Sequence, residues 1–299
     1  MPSWKEIKWR IKTVKNTAKI TKAMELISTV KMKKAQDSVL ASRPFALEAL
    51  KILKKIWDTL NESVFISWHH KKKHKTLWVI ISSNKWLCWW YNVNIFKKVS
   101  SYIKENRDTQ IDFLTVWKKS MEFVARTWNT LIEDHSEAIK DLIEIRDSKK
   151  ISKELVAKFL SWEYDKVVVF YSYYQSAISQ KAVAKQFLRI KKEDIVDYLE
   201  NIVWNTEAEN EDKIEFKIEP DKKSIADEVL PMILDMMFYE ILLEAKASEH
   251  ASRMVAMKNA KDSAWKKSFE LTLAYNKARQ ASITKEISEI VSWVESMKD

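Results

Sequence analysis

Two long helix-period stretches, one at each end of the chain, constrain the fold more than any other feature of this sequence. From Lys5 to about Asn61 there is a single proline, Pro44, and no turn cluster. Apolar residues fall at Ile7, Ile11, Val14 and Ala18, then at Ile20, Met24 and Ile27. Steps of four and three predict a seam that packs against another helix. From Ser224 to the end the only proline is Pro231, expected near the helix start, where it is best tolerated. There Ile283, Ile287, Ile290 and Val294 repeat the same stepping, below a broader stripe of Leu271, Leu273, Ala274, Tyr275 and Ala278. At about 1.5 Å per residue such helices reach on the order of 80 and 105 Å, beyond the width of a small domain. The pattern predicts that they pair as one antiparallel coiled coil and that the middle of the chain is an insertion.

The middle alternates in character. "LWVII" (77–81), "DFLTV" (112–116) and "KVVVFY" (166–171) have the length and β-branched content of buried strands. Between them, "NVNIFKKVSSYIKEN" and "ISKELVAKFL" read as helices. This predicts a Rossmann-like, mainly parallel sheet with helices packed on it. Segment 205–223 reads as an edge hairpin or linker. The expected division is therefore 1–62 for the N-terminal helix, 63–223 for the α/β insertion with its core at about 75–200, and 224–299 for the C-terminal helix.

Composition matters at the turns. A chain of 299 residues with roughly 7% glycine would hold about 20 of them; this one has none, and it has 14 tryptophans. Turns and helix C-caps need glycine because only a residue without Cβ takes positive φ freely. Yet "ISSNKWLCWWYN" (81–92) crowds three indoles, Trp86, Trp89 and Trp90, into a strand-to-helix turn. Trp128 and Trp162 also sit where turns are expected. The simplest account is a gene whose TGA codons mean glycine, with tryptophan standing in this sequence where the living cell places glycine.

Charge and motifs exclude more than they assign. The net charge is +10, and residues 1–40 carry ten Lys or Arg against three Asp or Glu. Such a basic helix suits nucleic acid, an acidic membrane surface or an acidic protein partner, or is simply a solvated face. No apolar run approaches a membrane span, and no secretory signal opens the chain. The single cysteine, Cys88, excludes an internal disulfide framework, and no neighbouring His or acid activates it as a nucleophile. With glycine at 86, 89 and 90 the central loop could cradle phosphate, but its spacing matches no nucleotide fingerprint. His69, His70 and His74 lie among lysines that repel a cation, so they read as a basic loop rather than a metal site. His135 and His250 are isolated in sequence. Neither a catalytic residue, a cofactor site nor a metal site is expected.

The residues do resemble a family. "KEIKWRIKTVKNTAKITKAMELISTVKMKKAQ" and "ASEHASRMVAMKNAKDSAWKKSFELTLAYNKARQASITKEISEIVSW" are similar to the terminal helices of the gamma subunit of F-type ATP synthases. "ISSNKWLCWWYNVNI" resembles the family's SDRGLCGGYN loop, and "FLSWEYDKVVVFYSYYQSAISQ" its later NGEFD segment. The likeness runs the length of the chain, in order, and the family's glycines fall at Trp9, Trp86, Trp89, Trp90, Trp162, Trp265 and Trp293. It implies a rotor: a central stalk without catalytic residues, set in an alpha–beta hexamer and bound to epsilon and a membrane c-ring. Proton-driven rotation of the ring would then cycle the catalytic beta subunits through ATP synthesis.

The resemblance also implies where contacts fall. Met24, Lys31 and Lys33 pass an acidic loop of the beta subunits, with Arg253 and Lys258 on the opposing helix. Gln280, Thr284 and Glu286 face the hexamer's bore. Because the motif begins within the first residues, no transit peptide is expected, and the location implied is the cytoplasmic face of a bacterial inner membrane. Three other readings compete: a diverged gamma-like paralogue that does not assemble, a nucleotide-binding α/β protein, and a basic coiled-coil nucleic-acid binder.

Overall fold

The computed structural model describes residues 4–56, 63–66, 73–127, 129–139, 141–190 and 221–297. Trp128 and most of segments 57–72 and 205–223 lie outside them, including His69 and His70. Helix α1 (Trp4–Lys55) opens the chain and α5 (Lys222–Ser296) closes it. Between them run β1 (Lys75–Ile81), α2 (Trp89–Glu105), β2 (Gln110–Val116), α3 (Lys118–Arg126), β3 (Thr130–Asp134), α4 (Ile145–Leu160), β4 (Lys166–Tyr174) and β5 (Gln180–Leu188). Pro231 sits well inside α5, not in its first turn, and α1 likewise continues through Pro44.

The residues group into two compact units. One holds 1–29 and 253–299; the other holds 30–252. In the first unit α1 and α5 run antiparallel. Trp4 packs edge-on against Tyr275 with ring centroids 6.2 Å apart, and Lys261 pairs with Glu25 at 2.7 Å. On α1 the covered positions are Trp4, Ile7, Ile11, Val14, Ala18, Thr21, Glu25 and Ser28, an unbroken alternation of threes and fours. On α5 Met257, Lys261, Ala264, Ser268, Leu271, Tyr275, Ala278 and Ser282 keep the same rhythm. This is the heptad spacing of a coiled coil.

The seam differs from the one expected beyond Ala18. It continues through Thr21, Glu25 and Ser28, whereas Ile20 is 57% exposed, Ile27 55% and Met24 36%. The covered positions there are polar, while the apolar residues in between face outward. Likewise Ile283, Ile287, Ile290 and Val294 form no seam. They lie past Ser282, where every residue of α5 to Met297 is exposed.

The second unit holds a five-stranded sheet in the order β3-β2-β1-β4-β5. The pairs β1–β2, β1–β4 and β2–β3 are parallel, and β4–β5 is antiparallel. Strand alternation splits the core in two. Leu77, Val79, Ile81, Leu114, Val116, Val167 and Val169 face one side with Leu155 and Phe159 of α4, Leu53 of α1 and Leu230, Leu234 and Phe238 of α5. Trp78, Ile80, Phe113, Val168 and Phe170 face the other, with Tyr91, Ile95 and Val99 of α2 and Val124 of α3. The strands β3 and β5 were not legible as apolar runs. Both are sheet edges, and "TLIED" and "QKAVAKQFL" carry the charge that edges tolerate.

Candidate functional site

The expected contact residues fall in both units. Met24, Arg253, Lys258, Gln280, Thr284 and Glu286 belong to the coiled-coil unit, and Lys31 and Lys33 to the sheet unit. Lys33, Lys258, Gln280, Thr284 and Glu286 are exposed, while Arg253 is buried. Gln280, Thr284 and Glu286 share one stretch of helix. There the Thr284 hydroxyl donates to the Gln280 carbonyl at 3.0 Å, and the Ser282 hydroxyl to Glu286 at 3.2 Å.

Lys31 is tied within the chain. Its Nζ donates to Asp141 Oδ2 at 2.7 Å, Lys85 donates to the same oxygen at 3.1 Å, and Lys246 lies 3.5 Å from Oδ1. Burial alone would push the Asp141 carboxyl up. The Lys31 hydrogen bond and the charges of Lys246 and Lys85 outweigh it and hold the group well below the usual carboxylate range. Lys246 is itself buried, pairs with Glu249 at 2.9 Å and sits 4.0 Å over the Trp117 ring. Three ammonium groups thus converge on one aspartate from α1, the β1–α2 loop and α5, which leaves the cluster rich in positive charge. Sequence reading missed it, because Asp141 lies 110 residues from Lys31 and carries no local motif.

His135, isolated in sequence, is not isolated in space. Its Nε2 lies 3.0 Å from Glu154 Oε2 and 3.5 Å from Glu133 Oε2, and Lys158 lies 3.0 Å from Glu133 Oε1. Burial pushes His135 down, and burial together with the facing Glu133 pushes Glu154 up to about 7. Two carboxyls and an imidazole in reach of one another are a possible ligand set. Here the Lys158 ammonium already supplies the cation, and the group reads as an ion-pair knot fastening β3 to α4.

The central loop is closed by its own side chains. The Ser83 N–H donates to Asn92 Oδ1 at 3.1 Å, and Asn92 Nδ2 donates to the Ser83 hydroxyl at 2.8 Å. Cys88 is buried at the N-cap of α2. Trp86, Trp89 and Trp90 stand out at 73%, 67% and 62% exposure.

A family model described as ATP synthase matches residues 3–297. The ATP synthase gamma chain of Geobacter sp. (strain M21) is 33% identical over 302 residues, covering 100% of both chains. That of Geobacter metallireducens is 34% identical over 300 residues, again covering 100% of each. The chain belongs to the ATP synthase gamma family. Solved structures agree on the fold. The central stalk of the Tetrahymena thermophila mitochondrial synthase superposes with a TM-score of 0.55 at 24% identity, over 81% of this chain and 99% of that one. A chain of the Euglena gracilis mitochondrial synthase gives 0.59 at 17% identity, over 98% and 94%.

As a gamma subunit, the protein serves as the central stalk of the synthase. No helix among the described residues is long and apolar enough to cross a membrane. The stalk role also gives meaning to the outward Ile20, Met24 and Ile27 and to the bare end of α5, which offer apolar surface beyond what the helix pair uses.

Proposed function

We propose that the protein couples proton-driven rotation of a membrane c-ring to the conformational cycling of catalytic beta subunits. The alpha–beta hexamer surrounds the helix pair, and epsilon binds the stalk. On this reading 1–62 and 224–299 supply the shaft and 63–223 the inserted domain, at the cytoplasmic face of a bacterial inner membrane. The observation that carries it is asymmetry. Trp4 packs on Tyr275, whereas α5 continues to Ser296 with every residue past Ser282 exposed. A shaft made of two unlike helices, one longer than the other, presents a different surface in each direction. It can therefore hold chemically identical neighbours in different conformations, since a ligand biases an equilibrium only by binding one state better than another.

The eight contact residues divide the work. Lys33, beside the Asp141 cluster residue Lys31, offers positive charge to an acidic loop; Met24 and Lys258 present side chains from α1 and α5. Gln280, Thr284 and Glu286 line the outer surface of the terminal shaft, and Arg253, buried in the chain by itself, belongs with Lys258 to the helix opposing the acidic loop. The test is assembly of the full chain with alpha, beta and epsilon, followed by ATP-driven proton pumping. Reversing charge at Lys31 and Lys33 together is expected to lower pumping per ATP by more than loss of the Lys31–Asp141 pair weakens the fold, and reversal at Lys33 alone to lower pumping with the fold intact. Loss of folding with normal coupling in the fraction that assembles would overturn the assignment.

A further inference from the structure

The backbone carries a second message, independent of the stalk role. Five described residues adopt positive φ: His74, Leu87, Trp117, Trp162 and Arg189. Two of the five are tryptophan, whose Cβ clashes with the following carbonyl in that region. Trp117 is nonetheless buried, with its indole N–H donating to the Ile139 carbonyl at 3.1 Å. Trp117 has φ 70° and ψ 157°, the part of conformational space that is essentially reserved for glycine. It stands as N-cap of α3, straight after β2, where the chain reverses within one residue. Trp162 has φ 61°. It follows the C-cap Ser161 of α4, and its N–H donates to the Phe159 carbonyl at 3.0 Å. That is the left-handed residue closing a helix C-terminus, the position at which glycine is most strongly selected.

We infer that the protein made in its own cell carries glycine at positions 117 and 162, and in the 86–90 loop, through a codon read there as glycine and here as tryptophan. The conformation and the composition bear on this separately. Two turns demand a residue without Cβ, and a chain of 299 residues holds 14 tryptophans and no glycine. The three loop indoles are mostly exposed, Trp86 meeting the Lys119 ammonium at 3.3 Å and Trp89 the Trp90 ring at 5.1 Å. Trp78 provides the contrast. It lies in the middle of strand β1 and packs against Phe113, Phe170 and Tyr102 with centroids 5.6, 4.9 and 5.4 Å away, and its backbone asks for nothing special.

A consequence follows for the shaft, and it rests on the stalk reading. Trp9, Trp265 and Trp293 are 67%, 50% and 74% exposed on the helices. Glycine inside a helix is unfavourable relative to alanine, so its use there implies close approach of another backbone. With glycine at these positions the shaft loses its three widest outward side chains, as a tight rotating fit requires.

Two measurements test the inference. Peptide mass spectrometry of the protein from its native source, across 84–94, 110–126 and 155–170, is expected to show the residue mass of glycine at 86, 89, 90, 117 and 162. Tryptophan masses at 117 and 162 would overturn it. On recombinant chain that carries tryptophan at 162, Trp162→Gly is expected to raise the melting temperature by about 2–4 °C and Trp162→Ala to raise it less. An alanine variant as stable as the glycine variant, or more so, would show that bulk and not backbone conformation is the issue, and would overturn the conformational argument. Neither result depends on whether the chain turns in a synthase.

Discussion

The two units bury different mixtures of residue. The sheet unit fills its interior with large apolar side chains, from Phe159 and Phe238 to the valines of β4. The helix pair mixes Ile7, Ile11, Val14, Met257 and Leu271 with the small Ala18, Thr21, Ser28, Ala264 and Ser268 in its seam, and leaves Ile20, Ile27, Phe269 and Leu273 outside. Apolar burial at about 25 cal/mol per Å² stabilises the first on its own. The second covers a narrower apolar seam and keeps many large apolar residues on its outer surface. On the proposed function, that outer surface is the part that meets other subunits.

The largest expected effect tests the sheet side of this contrast. Phe238→Ala removes a fully buried ring that packs on Phe187 at a centroid distance of 5.5 Å. It is expected to cost about 3–5 kcal/mol, read from the shift in urea midpoint. A loss below about 1 kcal/mol would mean that this core is not tightly packed.

The pH dependence comes next. Burial, with Glu240 adding to it, pushes Glu244 up to about 7 from an ordinary 4.5, against the opposing pull of Lys185. A raised carboxyl binds its proton more tightly in the folded chain, so its contribution is fully present below 4.5 and is lost as pH rises through about 7. The span corresponds to about 3 kcal/mol. Denaturant titrations between pH 4.5 and 8 should show this fall, and Glu244→Gln should flatten it. Asp141 works in the opposite sense. Its depressed carboxyl stabilises the fold above its ordinary value of 3.8 and loses that contribution only as pH falls through its lower folded value.

On the helix pair, Ala18→Leu inserts bulk into a seam that has no room for it. The expected cost is about 1–3 kcal/mol, seen as a lower melting temperature of the full chain. A neutral result would mean the helices do not approach closely at Ala18. Smallest of all, Ile27→Ser and Ile287→Ser should change the stability of the isolated chain by no more than about 0.5 kcal/mol, while weakening assembly with alpha and beta. Equal effects on stability and assembly would erase the distinction between the two units.

The periodicity of the ends and three of the five strands were readable from residues alone, because buried central strands are apolar throughout and helices repeat. The seam was misread past Ala18 for a physical reason. Pattern reading assumes that the buried stripe is the apolar one, which fails past Ala18, where the covered positions are Thr21, Glu25 and Ser28. The edge strands β3 and β5 were hidden by their charge. Asp141 and its three lysines were invisible because nothing local marks residues that meet only after the chain has folded. The contact residues came from resemblance alone, and one of them, Lys31, also lies 2.7 Å from a carboxylate of its own chain, which nothing local announces.

The central claim is that this chain turns. Cys88 is buried, so Ile178→Cys, in the 84% exposed turn between β4 and β5, supplies an accessible thiol for a bead. With the alpha–beta complex fixed to a surface and ATP supplied, the bead is expected to rotate in one direction, and to slip or stall when α5 is cut after Ser282. An assembled complex that hydrolyses ATP while the bead stays still would contradict the account.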